Sequence, residues 1–178
     1  MDKLIQTLIS GLSLGSIYAL IALGYTMVYG IAKMLNFAHG DIIMVGAYAV
    51  ITAVFTMGLP PFIAILISIA LCALLGIAIE FLAYRPLRQA QPLAVLITAI
   101  GVSYLLQNLA LLIYGSEQKA FPTIVALPTV HIGGVYIDGI TLATLVVTAV
   151  IMVALSLFIN KTRMGKAMRA VSEDKEAA

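Results

Sequence analysis

Residues 61–84 read PFIAILISIALCALLGIAIEFLAY, a stretch of 24 residues in which Glu80 is the only charged side chain. About 20 consecutive apolar residues are enough for an α-helix to cross the roughly 30 Å hydrocarbon core of a bilayer. A membrane-spanning β-strand would instead show a shorter segment with alternating apolar and polar residues. Because backbone groups in lipid must be hydrogen-bonded within the chain, the stretch predicts a membrane-spanning helix.

The composition of the whole chain indicates the same class of protein. Of its 178 residues, 62% are hydrophobic and 10% are charged, and the mean hydropathy is +1.11. A soluble domain of this length needs more polar surface than ten Lys/Arg and eight Asp/Glu residues supply. The small net charge of +2, without interleaved basic and aromatic residues, argues against nucleic-acid binding.

Four further apolar segments surround residues 61–84. The first is a run of 28 residues, about 42 Å long as a helix, so it is either a tilted helix or a helix with a re-entrant piece. We predict an all-α fold, a polytopic transmembrane helical bundle, with a membrane domain at 1–160 and a cytoplasmic segment at 161–178. The five predicted spans lie near residues 4–31, 42–57, 61–84, 93–114 and 140–159.

The distribution of Lys and Arg between the spans predicts their orientation. Arg85 and Arg88 lie in one short loop, and four basic residues follow the last span within 161–169. Short loops rich in Lys and Arg face the cytoplasm, so the uncharged turn at 58–60 is expected on the outside. The orientation of the N-terminus stays open, because the first segment is too long for a simple count of crossings.

Residues 115–139 differ in amino-acid composition from the apolar segments. The sequence VHIGGVYI at 130–137 has two β-branched runs separated by Gly-Gly, which is typical of a tight hairpin. We predict a small periplasmic β-hairpin. It either contacts a periplasmic partner or serves as a plain connection between two spans.

The polar stretch LNFAHGD at 35–41 interrupts two strongly apolar segments. One interpretation is a broken helix that presents backbone groups to a solute. The alternative is an ordinary turn with Asp41 as a helix N-cap; in either case its charge suits the positive end of the next helix. His39 suggests proton coupling or simply a hydrogen-bonding role. The candidate residues for a translocation path are Asn36, Phe37, His39, Gly40 and Asp41.

Small and polar residues recur at helical spacing within three of the spans. Faces of this kind pack against other helices, and polar groups in a membrane need a partner or a watery cavity. We therefore expect Glu80, Thr98 and Asn108 in the bundle interior. The three faces comprise Gly11, Gly15 and Ala19 in the first span, Ser68, Cys72, Gly76 and Glu80 in the third, and Thr98, Gly101 and Asn108 in the fourth.

Motifs for catalysis and for cofactor binding are missing from the sequence. It contains no GxxxxGK[ST], no nucleophile elbow and no HExxH. The single Cys72 lies in an apolar run, which excludes a disulfide framework or a Cys/His metal cluster built within these residues. We expect no catalytic residue, no metal site and no cofactor in this chain.

Several motifs, taken in order along the chain, resemble those of one family of membrane proteins. Most of the chain, except residues 115–139, is similar to the permease subunits of bacterial ATP-binding-cassette (ABC) importers for branched-chain amino acids, of the high-affinity type. The motifs are GLSLGSIYALIALGYTMVYG at 11–30, MLNFAHGDIIMVGAY at 34–48, EFLAYRPLR at 80–88, LITAIGVSYLLQN at 96–108 and RMGKAMRA at 163–170.

The resemblance implies a multi-pass protein of the bacterial inner membrane that translocates leucine, isoleucine and valine. Its partners would be a homologous permease subunit, two cytoplasmic ATPase subunits that hold ATP and Mg, and a periplasmic amino-acid-binding protein. The NFAHG-like segment would lie along the translocation path. Urea or short amides as substrates remain open, as do an ion-coupled secondary transporter or channel using His39, Asp41 or Glu80, and a purely structural membrane subunit.

The end of the chain, from Lys161 to Val171, is basic and amphipathic, which favours a helix on the membrane surface. Ser172 is then expected to N-cap a second helix; the alternative is a solvated, charged tail. By resemblance this segment begins the helix that couples the permease to its ATPase and continues in longer relatives, so we expect a fragment. The candidate coupling residues are Gly165, Arg169, Glu173, Asp174 and Glu176.

Overall fold

The structure is a computed structural model that describes residues 2–32, 36–117, 119, 121, 127–132 and 135–173. The predicted all-α membrane fold is confirmed, because five helical stretches are long and apolar enough to cross a bilayer. They are Lys3–Gly30, His39–Thr56, Pro61–Leu87, Pro92–Tyr114 and Gly139–Lys161. The helices of the described residues are α1 (Asp2–Ala32), α2 (His39–Ile51), α3 (Pro61–Ile79), α4 (Pro92–Tyr114), α5 (Gly139–Lys161) and α6 (Arg163–Glu173).

Helix α1 is continuous over 31 residues, about 46 Å, so the long first segment contains no break within Asp2–Ala32. Helices α3 and α4 each begin with proline after an extended residue, where the missing N–H of proline leaves no helical bond unmade. Helix α4 ends at Tyr114; the N–H of the next residue, Gly115, still bonds to the carbonyl of Leu111 at 2.9 Å, and the positive φ of Gly115, 79°, then turns the chain out of the helix.

Two of the helices continue into π-helical turns that the sequence does not predict. Residues Thr52–Thr56 extend α2, and residues Glu80–Tyr84 extend α3 before a 3₁₀ turn at Arg85–Leu87. A π turn widens the helix by one residue and so re-aims the side chains that follow it; such turns are frequent at functional sites. Tyr84, the last residue of the second π turn, is buried in the core formed with α2 and α4.

Helices α1, α5 and α6 and the hairpin form one compact unit. In it, α1 packs along α5, and α6 contacts both of these helices. Strands β1 (Val130–Ile132) and β2 (Val135–Ile137) pair antiparallel with His131 opposite Tyr136, which confirms the predicted hairpin; its Gly133-Gly134 turn lies outside the described residues. Strand β2 contacts α1.

The end of α6 differs from the sequence-based expectation. Ser172 does not cap a new helix, because α6 continues through Glu173. The Ser172 hydroxyl instead donates to the carbonyl of Arg169 at 2.7 Å, within the last turn of the same helix. Serine bonds in this way to a carbonyl three or four residues earlier when it lies inside a helix.

Helices α2, α3 and α4 with their π turns form a second compact unit. Its core gathers around the start of α2, the end of α3 and the first half of α4. Most large apolar side chains in the described residues point outward, while small ones occupy the interior, as expected when lipid is the surrounding solvent. The buried alanines of this unit are Ala38, Ala53, Ala64, Ala99 and Ala110.

Candidate functional site

The turn at residues 36–38, immediately before α2, is fixed by the side chain of Asn36. Its Oδ1 accepts the Ala38 N–H at 3.1 Å, and its carbonyl accepts the His39 N–H at 3.2 Å. This is an Asx-type turn, in which the side chain replaces a backbone acceptor. Ala38 has no exposed surface and belongs to the unit's core, so the turn is anchored in the interior.

Tyr84 ties this turn to the end of α3. Its hydroxyl donates to the Asn36 Oδ1 at 2.8 Å, and its ring is buried in the core. Tyr84 belongs to the EFLAYRPLR motif, which by itself predicts no role for this side chain. A tyrosine near the end of an apolar span is common at membrane interfaces, so its type alone gives no signal for this contact.

Asp41 lies in the first turn of α2 and is 9% exposed. Its two carboxylate oxygens accept hydrogen bonds from α4, at 2.5 Å from the Ser103 hydroxyl and at 3.0 Å from the Gln107 amide. Gln107 also donates to Ser103 at 3.1 Å. The interpretation of Asp41 as an N-cap is wrong, because the helix begins at His39 and the capping position is held by Ala38.

Burial of the Asp41 carboxylate is compensated locally. The positive end of the α2 dipole and two donors stabilise its charge, and no Lys or Arg pairs with it in the part of the chain that the structure describes. Gln107 is exposed on the surface of the unit, whereas Asp41 is buried. The three side chains therefore form a polar line from the interior of the unit to its surface.

Three other candidates in this segment are Phe37, His39 and Gly40. Phe37 and Gly40 are exposed, and a Cβ added to Gly40 would meet nothing within 4 Å. His39 is half-buried. The structure thus draws Asn36 and Asp41 into hydrogen-bond networks and leaves Phe37 at the surface of the unit.

Helices α2 and α3 approach closely through small residues. The Ser68 hydroxyl donates to the carbonyl of Gly46 at 2.8 Å, and the Cys72 thiol approaches the carbonyl of Ile42 at 3.5 Å. A Cβ on Gly46 would lie 2.8 Å from the Cys72 sulfur and 3.2 Å from the Ser68 hydroxyl oxygen, so a larger residue would require these two side chains to shift. The expected packing role of Ser68 and Cys72 is confirmed, and the Gly46 that receives them was not singled out from the sequence.

The far end of α2 makes a second contact with α4. The Tyr48 and Tyr114 rings stack with centroids 4.1 Å apart and planes 12° apart. The Thr52 hydroxyl lies 3.0 Å from the Tyr114 hydroxyl. Polar and aromatic side chains thus join α2 to α4 at both of its ends.

The three residues expected in the bundle interior occupy different environments. Glu80 forms an ion pair with Arg88 at 2.6 Å, with side chains 43% and 64% exposed. Thr98 is half-buried, whereas Asn108 is exposed and donates to the carbonyl of Tyr104 on its own helix. Asn108 is not interior in this unit, because the buried face of α4 runs through Val95, Ala99, Leu106 and Ala110.

The expected coupling segment forms a tight corner between α5 and α6. Gly165 is buried against the backbone of Phe158 and Ile159, where a Cβ would collide. The Thr162 hydroxyl accepts the Gly165 N–H at 3.0 Å, and Arg169 donates to the Asn160 side chain at 3.2 Å. Glu173 ends the helix at an exposed position, and Asp174 and Glu176 lie outside the described residues.

The comparisons with known proteins agree on one family. A family model described as "Branched-chain amino acid transport system / permease component" matches residues 7–178. The high-affinity branched-chain amino acid transport system permease protein BraD of Pseudomonas aeruginosa is 44% identical over 96% of this chain and 59% of its own length. The corresponding permease protein LivH of Escherichia coli is 40% identical over 98% of this chain and 60% of its own length.

A probable branched-chain amino acid transport permease protein of Methanocaldococcus jannaschii is 26% identical over 92% of this chain. The chain spans about three-fifths of the length of the BraD and LivH relatives it matches. No solved structure matches it. The family model over nearly the whole chain and the two bacterial relatives show that the chain belongs to the branched-chain amino acid transport permease family.

Proposed function

We propose that this chain forms part of the membrane-spanning permease of a bacterial ABC importer that carries leucine, isoleucine and valine across the inner membrane. Membership of the permease family and the five apolar helices support this proposal. A homologous permease subunit completes the pathway, and a periplasmic binding protein delivers the amino acid. Two cytoplasmic ATPase subunits bind ATP and Mg and drive the cycle, so the permease is not itself an enzyme.

The observation that carries the site assignment is the buried Asp41 with its two donors from α4. Carboxylates inside membrane-spanning segments are expensive and face a bundle interior or a water-filled path. The polar line through Ser103 to Gln107 reaches the surface of the unit, which suits the wall of such a path. Asn36, Phe37, His39 and Gly40 would contribute to the same wall.

Helix α2 contacts α3 and α4 in different ways, and the difference favours a translocation path whose wall can open between α2 and α4. Helix α2 meets α3 at a glycine notch, where Ser68 and Cys72 pack against Gly46, and we expect these two helices to move together. Near the site α2 meets α4 through two hydrogen bonds to a carboxylate, each with a net contribution of about 1.5–3 kcal/mol, which water can replace when the helices separate. Opening of the path would separate α4 from α2 and hydrate Asp41.

Helix α6 would receive the motion of the ATPase. It is basic, it contacts α5 and α1, and its corner at Gly165 has no room for adjustment. Arg169, Glu173, Asp174 and Glu176 would lie at the ATPase contact. A displacement of α6 is then passed to α5 as a rigid movement.

The test is uptake of radiolabelled leucine into proteoliposomes that hold the full-length permease pair and both ATPase subunits. Binding protein is supplied outside and ATP inside. We expect uptake that needs both, and that is lost in the Asp41→Ala variant. Excess isoleucine or valine should compete, whereas urea and acetamide should not.

Two outcomes would overturn the proposal. Uptake driven by a proton or sodium gradient without ATP would assign the chain to an ion-coupled transporter. Uptake of urea or acetamide in preference to leucine would keep the ABC mechanism and replace the substrate.

A further inference from the structure

A shallow groove of about 510 Å³ runs along the surface of α3 and its π-helical extension. Its apolar floor is formed by Ala73, Gly76, Ile77 and Phe81. A Cβ on Gly76 would meet nothing within 4 Å, so the floor is open. The volume is within the roughly 300–1,000 Å³ range of small-molecule sites.

One end of the groove is basic. Arg85 and Arg88 line it together with Glu80, which leaves one positive charge in excess. The single carboxylate is already engaged, because Arg88 holds it at 2.6 Å. The Arg85 guanidinium lies 4.9 Å from the centre of the Phe81 ring and has no carboxylate partner among the described residues.

The depth of these two parts in the membrane matches the two parts of a lipid. The apolar floor belongs to Pro61–Leu87, a stretch long and apolar enough to cross a bilayer, where its exposed side chains would face hydrocarbon. The arginines lie at the C-terminal end of that stretch, where the lipid headgroups are expected. An acyl chain on the floor would therefore bring its phosphate to the arginines.

We propose that this groove is a binding site for an anionic phospholipid. The acyl chain packs over Gly76 between Ile77 and Phe81, and the phosphate accepts hydrogen bonds from the Arg85 guanidinium. Arginine suits this role because its planar fork of donors matches a phosphate. Arg88 lends positive charge while remaining paired with Glu80.

The test places a reporter in the groove floor of the full-length permease in its complex. The 178 residues contain no tryptophan, and an Ile77→Trp substitution adds one in the groove floor. Its fluorescence is obtained by subtracting the signal of the parent protein. The variant is reconstituted in phosphatidylcholine vesicles that contain either brominated phosphatidylglycerol or brominated phosphatidylcholine at the same mole fraction. We expect stronger quenching by phosphatidylglycerol.

Arg85→Gln on the same background should remove the preference, because each basic group near a membrane contributes about fivefold to binding of anionic lipid. Arg163→Gln is the matched control, since Arg163 is an exposed arginine of α6 outside the groove. Gly76→Leu should fill the floor and reduce quenching by both lipids. If the Ile77→Trp variant does not fold, native mass spectrometry of the parent and Arg85→Gln proteins with phosphatidylglycerol gives the same comparison.

Three results would overturn the proposal. Equal quenching by the two brominated lipids would show ordinary contact with bulk lipid. Quenching by neither would show that protein covers the groove in the complex. An equal loss of preference in Arg163→Gln and Arg85→Gln would show a general effect of surface charge.

Discussion

The Ser103 hydroxyl donates to the Asp41 carboxylate at 2.5 Å and so links α4 to the first turn of α2. Gln107, one turn further along α4, donates to the other carboxylate oxygen at 3.0 Å. Asp41→Ala removes the acceptor of both bonds, and a hydrogen bond to a charged group contributes about 1.5–3 kcal/mol to stability. We expect a lower Tm for purified full-length Asp41→Ala permease, measured by thermal unfolding in detergent.

Two variants serve as controls for Asp41→Ala. Asp41→Asn keeps the shape and one carbonyl acceptor, so its Tm should fall between those of the parent and Asp41→Ala. Ser103→Ala removes one donor and leaves the bond from Gln107, so its loss should be smaller than that of Asp41→Ala. An unchanged Tm in Asp41→Ala would contradict a stabilising role for this network.

The bond from Tyr84 to Asn36 predicts a local change in dynamics. Tyr84→Phe keeps the buried ring and removes the hydroxyl that holds the turn at 2.8 Å. Loss of about 1 kcal/mol there corresponds to roughly fivefold faster hydrogen exchange at the Ala38 and His39 amides, measured by mass spectrometry of the peptide that carries them. Tyr104→Phe is the control, since Tyr104 is 63% exposed. Equal exchange rates in the two variants would show that the Tyr84 hydroxyl does not stabilise the turn.

The glycine notch between α2 and α3 predicts opposite effects for two Gly→Ala changes. In Gly46→Ala the new methyl would lie 2.8 Å from the Cys72 sulfur, and overpacking of this kind costs about 1–3 kcal/mol. In Gly76→Ala the methyl enters open space, and alanine favours a helix over glycine by roughly 0.5–1 kcal/mol. Thermal unfolding should show a lower Tm for the first and an equal or higher Tm for the second.

A double variant separates steric overlap from a general effect on α2. Cys72→Ala removes the sulfur that the Gly46→Ala methyl would meet, so the pair should lose less stability than the sum of the single variants. If the losses of stability in the two single variants simply add in the double variant, the strain in Gly46→Ala does not arise from contact with the Cys72 sulfur.

The corner at Gly165 predicts a coupling defect. Gly165→Ala sets a methyl against the backbone of Phe158 and Ile159, which has no flexible end that can give way, so α6 must shift relative to α5. In proteoliposomes with the partner subunits we expect several-fold less leucine taken up for each ATP hydrolysed. Gly76→Ala, which adds a methyl where there is room, is the matched control; an unchanged ratio in Gly165→Ala would mean that the corner does not transmit the motion.

Hydropathy is enough to predict the five spans. The predicted and observed helices differ only at their ends. The third and fourth spans were predicted from residues 61 and 93, and the helices begin at Pro61 and Pro92. Helix α2 begins at His39, three residues before the predicted start at 42, because His39, Gly40 and Asp41 are unlike membrane residues in composition. The polar side chain of Asp41 is satisfied by Ser103 and Gln107, which are 62 and 66 residues away in the sequence.

The partners of the site were harder to predict than its centre. Asn36 and Asp41 are conspicuous as polar residues between apolar runs, whereas the sequence places Ser103 and Gln107 only within the LITAIGVSYLLQN motif. A signal was present, since two polar residues four apart in an apolar span share one helix face. Asn108 was chosen instead, because α4 is apolar on all sides and its sequence shows no contrast between buried and exposed faces.

Five alanines are buried in the second unit, and three of them, Ala38, Ala64 and Ala99, have no exposed surface at all. Each of these sites fixes a distance between two backbones, so a larger residue would push helices apart, and a smaller one could only be glycine. The outward leucines, isoleucines and phenylalanines meet fluid lipid, where one branched hydrocarbon replaces another at little cost. Sequence drift over generations should therefore be fastest at the bulkiest side chains and slowest at the smallest, the reverse of the pattern in a water-soluble domain.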